Sequence, residues 1–268
     1  MKKCTLFFAL TLVCIAFGLL RAANPAMAAE KTDSINSLQD LNGRSIGVIA
    51  GTISDLDDSL NLLTDYTSIV YFNTTSEEHQ ALLDGEIDAF VEDRSVAMYL
   101  VAKFPELKIL PDNLTQTSYA YATRYEDKET YSLVNGELVD MLGDGTIDYL
   151  IKKWVRVTAS EQTIPEPKIK PGAKPLLVGV SSISPPFVFL GKDNQLLGLD
   201  IELLQIMAER TGRRLVITDM EFQDLIKSLL DKKVDVIGSC FSITDSRARL
   251  IRFTKGYFKD GASIITLK

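Results

Sequence analysis

Apolar residues in this chain come in short blocks whose spacing alternates between the strand and helix periods. Ser45–Ile49 is a β-branched run closed by Ala50, Gly51 and Thr52 and reads as a strand, with a helix expected over 54–63. Further strands are expected at 69–72, 87–91 and 119–123, and helices at 76–83, 93–101, 129–142 and 146–154, with Gly85 and the Gly143-Asp144-Gly145 turn as stops. Residues 157–175 break the pattern: Pro165, Pro167, Pro171, Pro175 and Gly172 interrupt any apolar period, so this stretch reads as an extended spacer able to span roughly 60 Å. The alternation then restarts, with strands expected at 176–180, 187–190, 215–218, 234–237 and 261–267 and helices at 198–211 and 223–230. Two blocks of alternating strands and helices predict two α/β lobes built on parallel-type sheets, with a ligand cleft between the carboxyl ends of their strands.

The first residues follow a different rule. Lys2 and Lys3 precede an apolar run over 6–20 and an Ala26-Met27-Ala28 cleavage pattern, so residues 1–28 read as a cleaved export signal. The 268-residue chain carries a net charge of −7, and removing the segment with Lys2, Lys3 and Arg21 makes it more acidic still. That balance argues against nucleic acid or an anionic membrane surface as partner. Of Cys4, Cys14 and Cys240 only Cys240 lies beyond the signal, so no intrachain disulfide is expected even in an oxidising compartment. No Cys/His cluster suggests a metal, no cofactor is implied, and the single His79 sits among polar neighbours and reads as solvated.

The chemistry concentrates near residues 233–249. A short buried strand ends at the small residues Gly238, Ser239 and Cys240, and Thr244 then caps a helix that carries Arg247 in its first turn. A cation there opposes the helix dipole, so it calls for a reason, and a planar carboxylate gripped in two-pronged fashion is one. Ser239 and Ser242 add hydroxyl and backbone groups to the same crevice.

This turn resembles the ligand-gripping turn of family 3 of the bacterial extracellular solute-binding proteins, the polar amino-acid receptors of ABC transporters. Leu177-Val-Gly-Val180, Pro185-Pro-Phe-Val-Phe189 and Leu197-Gly-Leu-Asp-Ile-Glu202 are similar to that family's first lobe, assigned here to 176–268. Leu38-Gln-Asp-Leu-Asn-Gly-Arg-Ser-Ile-Gly-Val48, Gly51-Thr52, Ile87-Asp-Ala-Phe-Val-Glu-Asp93 and Leu142-Gly-Asp-Gly-Thr-Ile-Asp148 resemble its second lobe, assigned to 34–118, with 119–156 as a return strand and helices packing on lobe one. The resemblance implies a two-lobed, type II periplasmic-binding-protein fold with the lobes in circularly permuted order, joined by the 157–175 linker. A tandem receptor divided within a domain is the other origin of such an order, and would let lobes pair between molecules as a swapped dimer; a monomer is the simpler expectation.

The resemblance also implies roles. Arg247 would take a ligand α-carboxylate, with Ser242, Ser239, Thr52 and the N–H of Ile53 beside it, and Asp93 the α-ammonium. Asp93 equally suits an ordinary helix N-cap. Phe222 aligns with an aromatic pocket wall and is also a reasonable core residue. Cys240 is a small turn residue or a thiol near the ligand. Ser184 stands where a tyrosine or phenylalanine lid is usual, and Ser181 where receptors for basic amino acids often carry an acid, so a cationic ligand is not expected. The implied function is capture of a small amino acid outside the cytoplasm and delivery to an ABC permease, without catalysis. The alternatives are a solute-sensing accessory protein and a cyclohexadienyl-dehydratase-like enzyme, whose acid would have to be Glu92; strand alternation is expected to turn Glu92 away from Asp93.

Overall fold

The computed structural model describes residues 34–52, 68–156, 163–168 and 170–268; the expected signal segment, the helix over 54–63 and part of the linker lie outside them. The strands are β1 (Ser45–Ile49), β2 (Ser68–Phe72), β3 (Ala89–Asp93), β4 (Leu107–Asn113), β5 (Thr117–Tyr119), β6 (Ala122–Thr123), β7 (Pro175–Val180), β8 (Ile183–Ser184), β9 (Val188–Leu190), β10 (Leu196–Leu197), β11 (Arg214–Asp219), β12 (Val236–Ile237), β13 (Arg252–Phe253), β14 (Phe258–Asp260) and β15 (Ala262–Leu267). The helices are α1 (Thr75–Asp84), α2 (Arg94–Lys103), α3 (Lys128–Gly143), α4 (Thr146–Ile151), α5 (Leu199–Arg210), α6 (Leu225–Leu230) and the short α7 (Asp245–Ala248).

These elements build two five-stranded sheets. The first has the order β2-β1-β3-β15-β4, parallel through β3 and antiparallel on both sides of β15. Alternation along β3 sorts its side chains: Ala89 and Val91 pack with Ile46, Val48 and Ile264 on one face, and Phe90 packs with Leu82, Val96 and Ile265 under α1 and α2 on the other. The second sheet has the order β11-β7-β12-β6-β13, with β11, β7 and β12 parallel. Val178 and Val180 of β7 meet Val134, Leu138, Ile147 and Leu150 from α3 and α4 and Trp154 from the helical turn Lys152–Arg156 after them, so helices from before the linker complete the core of strands that follow it.

Both sheets therefore draw on both halves of the chain. The two crossings run side by side as a two-stranded ribbon in which β5 pairs antiparallel with β14. The described part of the proline-rich stretch lies along α5, held by Gln205 Nε2 donating to the Pro165 carbonyl at 2.6 Å and by the Lys168 N–H donating to Glu209 at 3.0 Å.

The pattern missed β4, whose Leu107-Lys-Ile-Leu110 run is followed by a proline. That omission explains a second difference. His79 is not solvated: its ring lies 4.3 Å from Phe104 and its Nε2 is 3.1 Å from Glu106, because α1 packs beside the turn leading into β4. The strand expected over 119–123 is two strands, one in the crossing ribbon and one in the second sheet.

Candidate functional site

The carboxyl ends of β1 and β3 face the turns after β7 and β12, and the space between them is a small cavity of about 10 Å³ lined by Ile49, Thr52, Glu92, Asp93, Ser184, Phe222, Cys240 and Ser242. That is about the volume one water needs, so an amino acid enters only if the two sheets part.

The floor comes from the second sheet. Gly198, at φ +127°, lets the chain pass the Phe187 carbonyl into α5, which places Asp200 beneath the turn. Asp200 accepts the Cys240 N–H and the Tyr257 hydroxyl, both at 2.5 Å, and fixes Cys240 in a left-handed conformation with φ +41°. A non-glycine residue held there is strain stored at the cavity wall. Burial raises the Asp200 carboxyl to about 6, with the two hydrogen bonds pulling the other way.

Arg247 follows as expected. Thr244 accepts the Arg247 N–H at 3.2 Å, and the side chain is buried over the Phe241 ring (4.1 Å) and the Phe222 ring (5.4 Å). Its Nη1 donates to the Ser242 carbonyl at 2.9 Å, and its Nη2 crosses the cleft to the Gly51 carbonyl at 2.7 Å. Burial lowers the guanidinium to about 10, with Asp93 opposing the shift. A ligand carboxylate arriving in an opened cleft could replace the Gly51 carbonyl on Nη2 with a stronger, charged acceptor.

The wall opposite comes from the first sheet. Asp93 stands at the N-cap of α2, yet its side chain caps nothing. The cap comes from Asp260 of the crossing ribbon, which accepts the Ser95 N–H and the Tyr119 hydroxyl, both at 3.1 Å. Asp93 Oδ1 is left enclosed without a hydrogen-bond partner. Burial, helped by the charge of Asp260, raises the Asp93 carboxyl to about 7.

Because Asp93 holds its proton more tightly folded than unfolded, its contribution favours the fold below about pH 4 and is lost as pH rises through 7. Asp93→Asn is accordingly expected to stabilise the protein at pH 8 by about 2–4 kcal/mol and to flatten the pH dependence between 4 and 7 in urea unfolding. An unchanged pH profile would show that Asp93 is not the group responsible.

Of the expected site residues, Thr52, Asp93, Ser184, Phe222, Cys240 and Ser242 border the cavity, and Arg247 lies directly against Phe222 and Ser242. The Thr52 hydroxyl donates to the Ile49 carbonyl at 2.7 Å. Ser239 and Ser181 are not on the cavity. The Ser239 hydroxyl accepts the Ser181 N–H at 3.0 Å and donates to the Ser181 carbonyl at 3.1 Å, clamping the ends of β7 and β12 together. Ile53 lies outside the described residues.

Glu92 corrects the alternation argument. It does point to the opposite face of β3, toward α1, but the N-terminus of α1 itself borders the cleft, so Glu92 reaches the same cavity as Asp93. Two adjacent acids at a strand's carboxyl end were the available signal. Among the described residues no group of three His, Cys, Asp or Glu side chains is placed to hold a metal ion, and no helix is long and apolar enough to cross a membrane.

Residues 176–268 match the sequence model of the bacterial extracellular solute-binding proteins, family 3. The chain is 32% identical over 96 residues to the arginine-binding protein 1 of an ABC transporter in Escherichia coli, a match covering 36% of this chain and 40% of that protein. The chain spans about two fifths of the length of the curated relatives it matches first. A match over 238 residues, at 21% identity, reaches 85% of this chain but 19% of the virulence sensor protein BvgS of Bordetella bronchiseptica. Among solved structures, the arginine-bound domain 1 of TmArgBP is 38% identical, covering 35% of this chain and 79% of that one, with a TM-score of 0.30. Relatives named for arginine give no support to the expectation against a cationic ligand. The structure removes its basis too, since Ser181 does not face the cavity and Glu92 does.

Proposed function

We propose that this chain is an extracytoplasmic solute receptor that closes its two α/β lobes around a small amino acid, as a family 3 protein with its lobes in permuted order. Arg247 takes the ligand carboxylate and Asp93 the ammonium. The observation that carries the reading is the pairing, across one cavity, of a buried guanidinium on the second sheet with an enclosed, unpartnered carboxylate oxygen on the first. Only a closed cleft satisfies both ends of a zwitterion, so the ligand shifts the open–closed population by its preference for the closed form.

The permuted order is supported by the neighbourhood of Lys108, which sits in register with Thr266 of β15 while its Nζ donates to Asn36 at 2.8 Å. Residues near 36 and the last strand thus lie side by side, as an unbroken family lobe two would require. We read the partner as an ABC permease, with the protein exported by the 1–28 segment. The long match to BvgS supports delivery of the same binding event to a sensor instead.

A thermal-shift panel of the common amino acids tests the receptor. A ligand at one hundred times its Kd adds about 2.7 kcal/mol and should raise Tm by roughly 5–10 °C; no response to any amino acid would sink the reading. A second reading, a dehydratase, gains from Glu92, a neutral acid held in the cleft. Turnover of prephenate would favour that enzyme.

A further inference from the structure

Three carboxyl groups crowd one side of the cavity. Glu92 and Asp93 border it, and Glu78 of α1 lies buried behind Glu92, both its oxygens without a hydrogen-bond partner. Thr75 Oγ1 lies 2.6 Å from Glu92 Oε1 and 3.0 Å from the Ile183 carbonyl across the cleft. A hydroxyl has one hydrogen to give. Both contacts are hydrogen bonds only if Glu92 carries a proton and donates it to Thr75, while Thr75 donates to Ile183. The closed cleft therefore holds Glu92 as a neutral acid.

We infer that Glu92 is a cation-exchange subsite: it keeps its proton when the ligand's side chain is neutral and gives it up to solvent when an ammonium or guanidinium takes the proton's place. This rests on the receptor reading above and names the ligand class that reading left open. Charge counting supports it. A zwitterion balances Arg247 and Asp93, and among the described residues a second cation on the ligand then has only Glu92 at the cavity wall to answer it. Glu78 stays protonated behind it, since one of two touching buried carboxyls must remain neutral.

The titratable groups around Glu92 are Glu78 on α1, Asp93 beside it on β3 and Cys240 across the cavity; Asp260, Tyr119 and Arg247 act on Asp93 in turn. Burial raises Glu92 to about 8, and it pushes Glu78 well above the carboxylate range, with Glu92 adding to the effect. A group with that affinity for its proton sheds it in the neutral-to-alkaline range, where the exchange can be read.

Calorimetric titration of the full chain with lysine and with its neutral isostere norleucine, at pH 6 and pH 8, tests the exchange. The lysine-to-norleucine affinity ratio is expected to rise at least tenfold between the two pH values, with more proton release for lysine than for norleucine, since both displace the Asp93 proton and only lysine displaces that of Glu92, seen by repeating the titration in buffers of different ionisation enthalpy. Glu92→Gln, which mimics the neutral acid, should flatten the ratio. A ratio that does not move with pH in the unaltered protein, or norleucine preferred at pH 8, overturns the subsite and leaves the receptor standing. Binding of neither ligand, nor of any other amino acid in the panel, fails the receptor and the subsite together.

Discussion

Arg247→Ala is expected to abolish the thermal shift produced by any amino-acid ligand. The guanidinium is buried against Phe241 and Phe222 and supplies the charged donors on its side of the cavity. Truncating one partner of a buried, hydrogen-bonded charge pair costs about 2–5 kcal/mol, or roughly 30- to 5,000-fold in Kd. The same change deletes the bond to the Gly51 carbonyl, so the open form should also gain population. Arg247→Lys keeps the charge but loses the planar fork and should recover only part of the affinity. Calorimetry against the best panel ligand measures both variants, and a Kd unchanged in Arg247→Ala would refute the site.

The largest expected loss of stability is at Gly198. Its backbone, at φ +127° and ψ 175°, occupies a region essentially reserved for glycine, and a Cβ there would lie 2.1 Å from the Phe187 carbonyl oxygen. The atoms it strikes are backbone and already committed: the Phe187 carbonyl accepts the Asp200 N–H at 3.1 Å and the Pro186 carbonyl the Leu199 N–H at 3.0 Å. Gly198→Ala should therefore cost about 3 kcal/mol or more and lower Tm by roughly 6–12 °C. Because α5 carries Asp200, which holds Cys240 in the cavity wall, ligand affinity should fall even where the protein remains folded. A variant with unaltered Tm would show that the loop relaxes freely and that this turn is not a rigid floor of the cavity.

Much of this was legible in the residues because local rules and tertiary structure agree. β1, β7 and α5 follow apolar periods that their sheets use directly, and Thr244 caps the helix its position suggests. What stayed hidden depends on partners distant in sequence. Nothing near Asp93 says that Asp260 takes over its capping duty, which is what leaves Asp93 facing the cavity. Glu92 was misjudged because alternation describes a sheet's faces but not its end, where a helix terminus can bring the other face round to the same opening. Ser181 and Ser239 were placed at a ligand by analogy, whereas their atoms satisfy each other.

The place of β15 between β3 and β4 bears on how the molecule is made. That strand follows the sheet's other strands in sequence, so it fills the middle of a sheet whose other strands are synthesised first. Until then β3 and β4 each expose an unpaired edge, and α3 and α4 lack the strands that complete their core. The nascent first half is thus a collapsed but unfinished body with adhesive edges, dependent on slow, long-range closure. Such a sheet should close only once β15 has been made, rather than strand by strand in step with synthesis, and the chain should lean on holding chaperones in the interval.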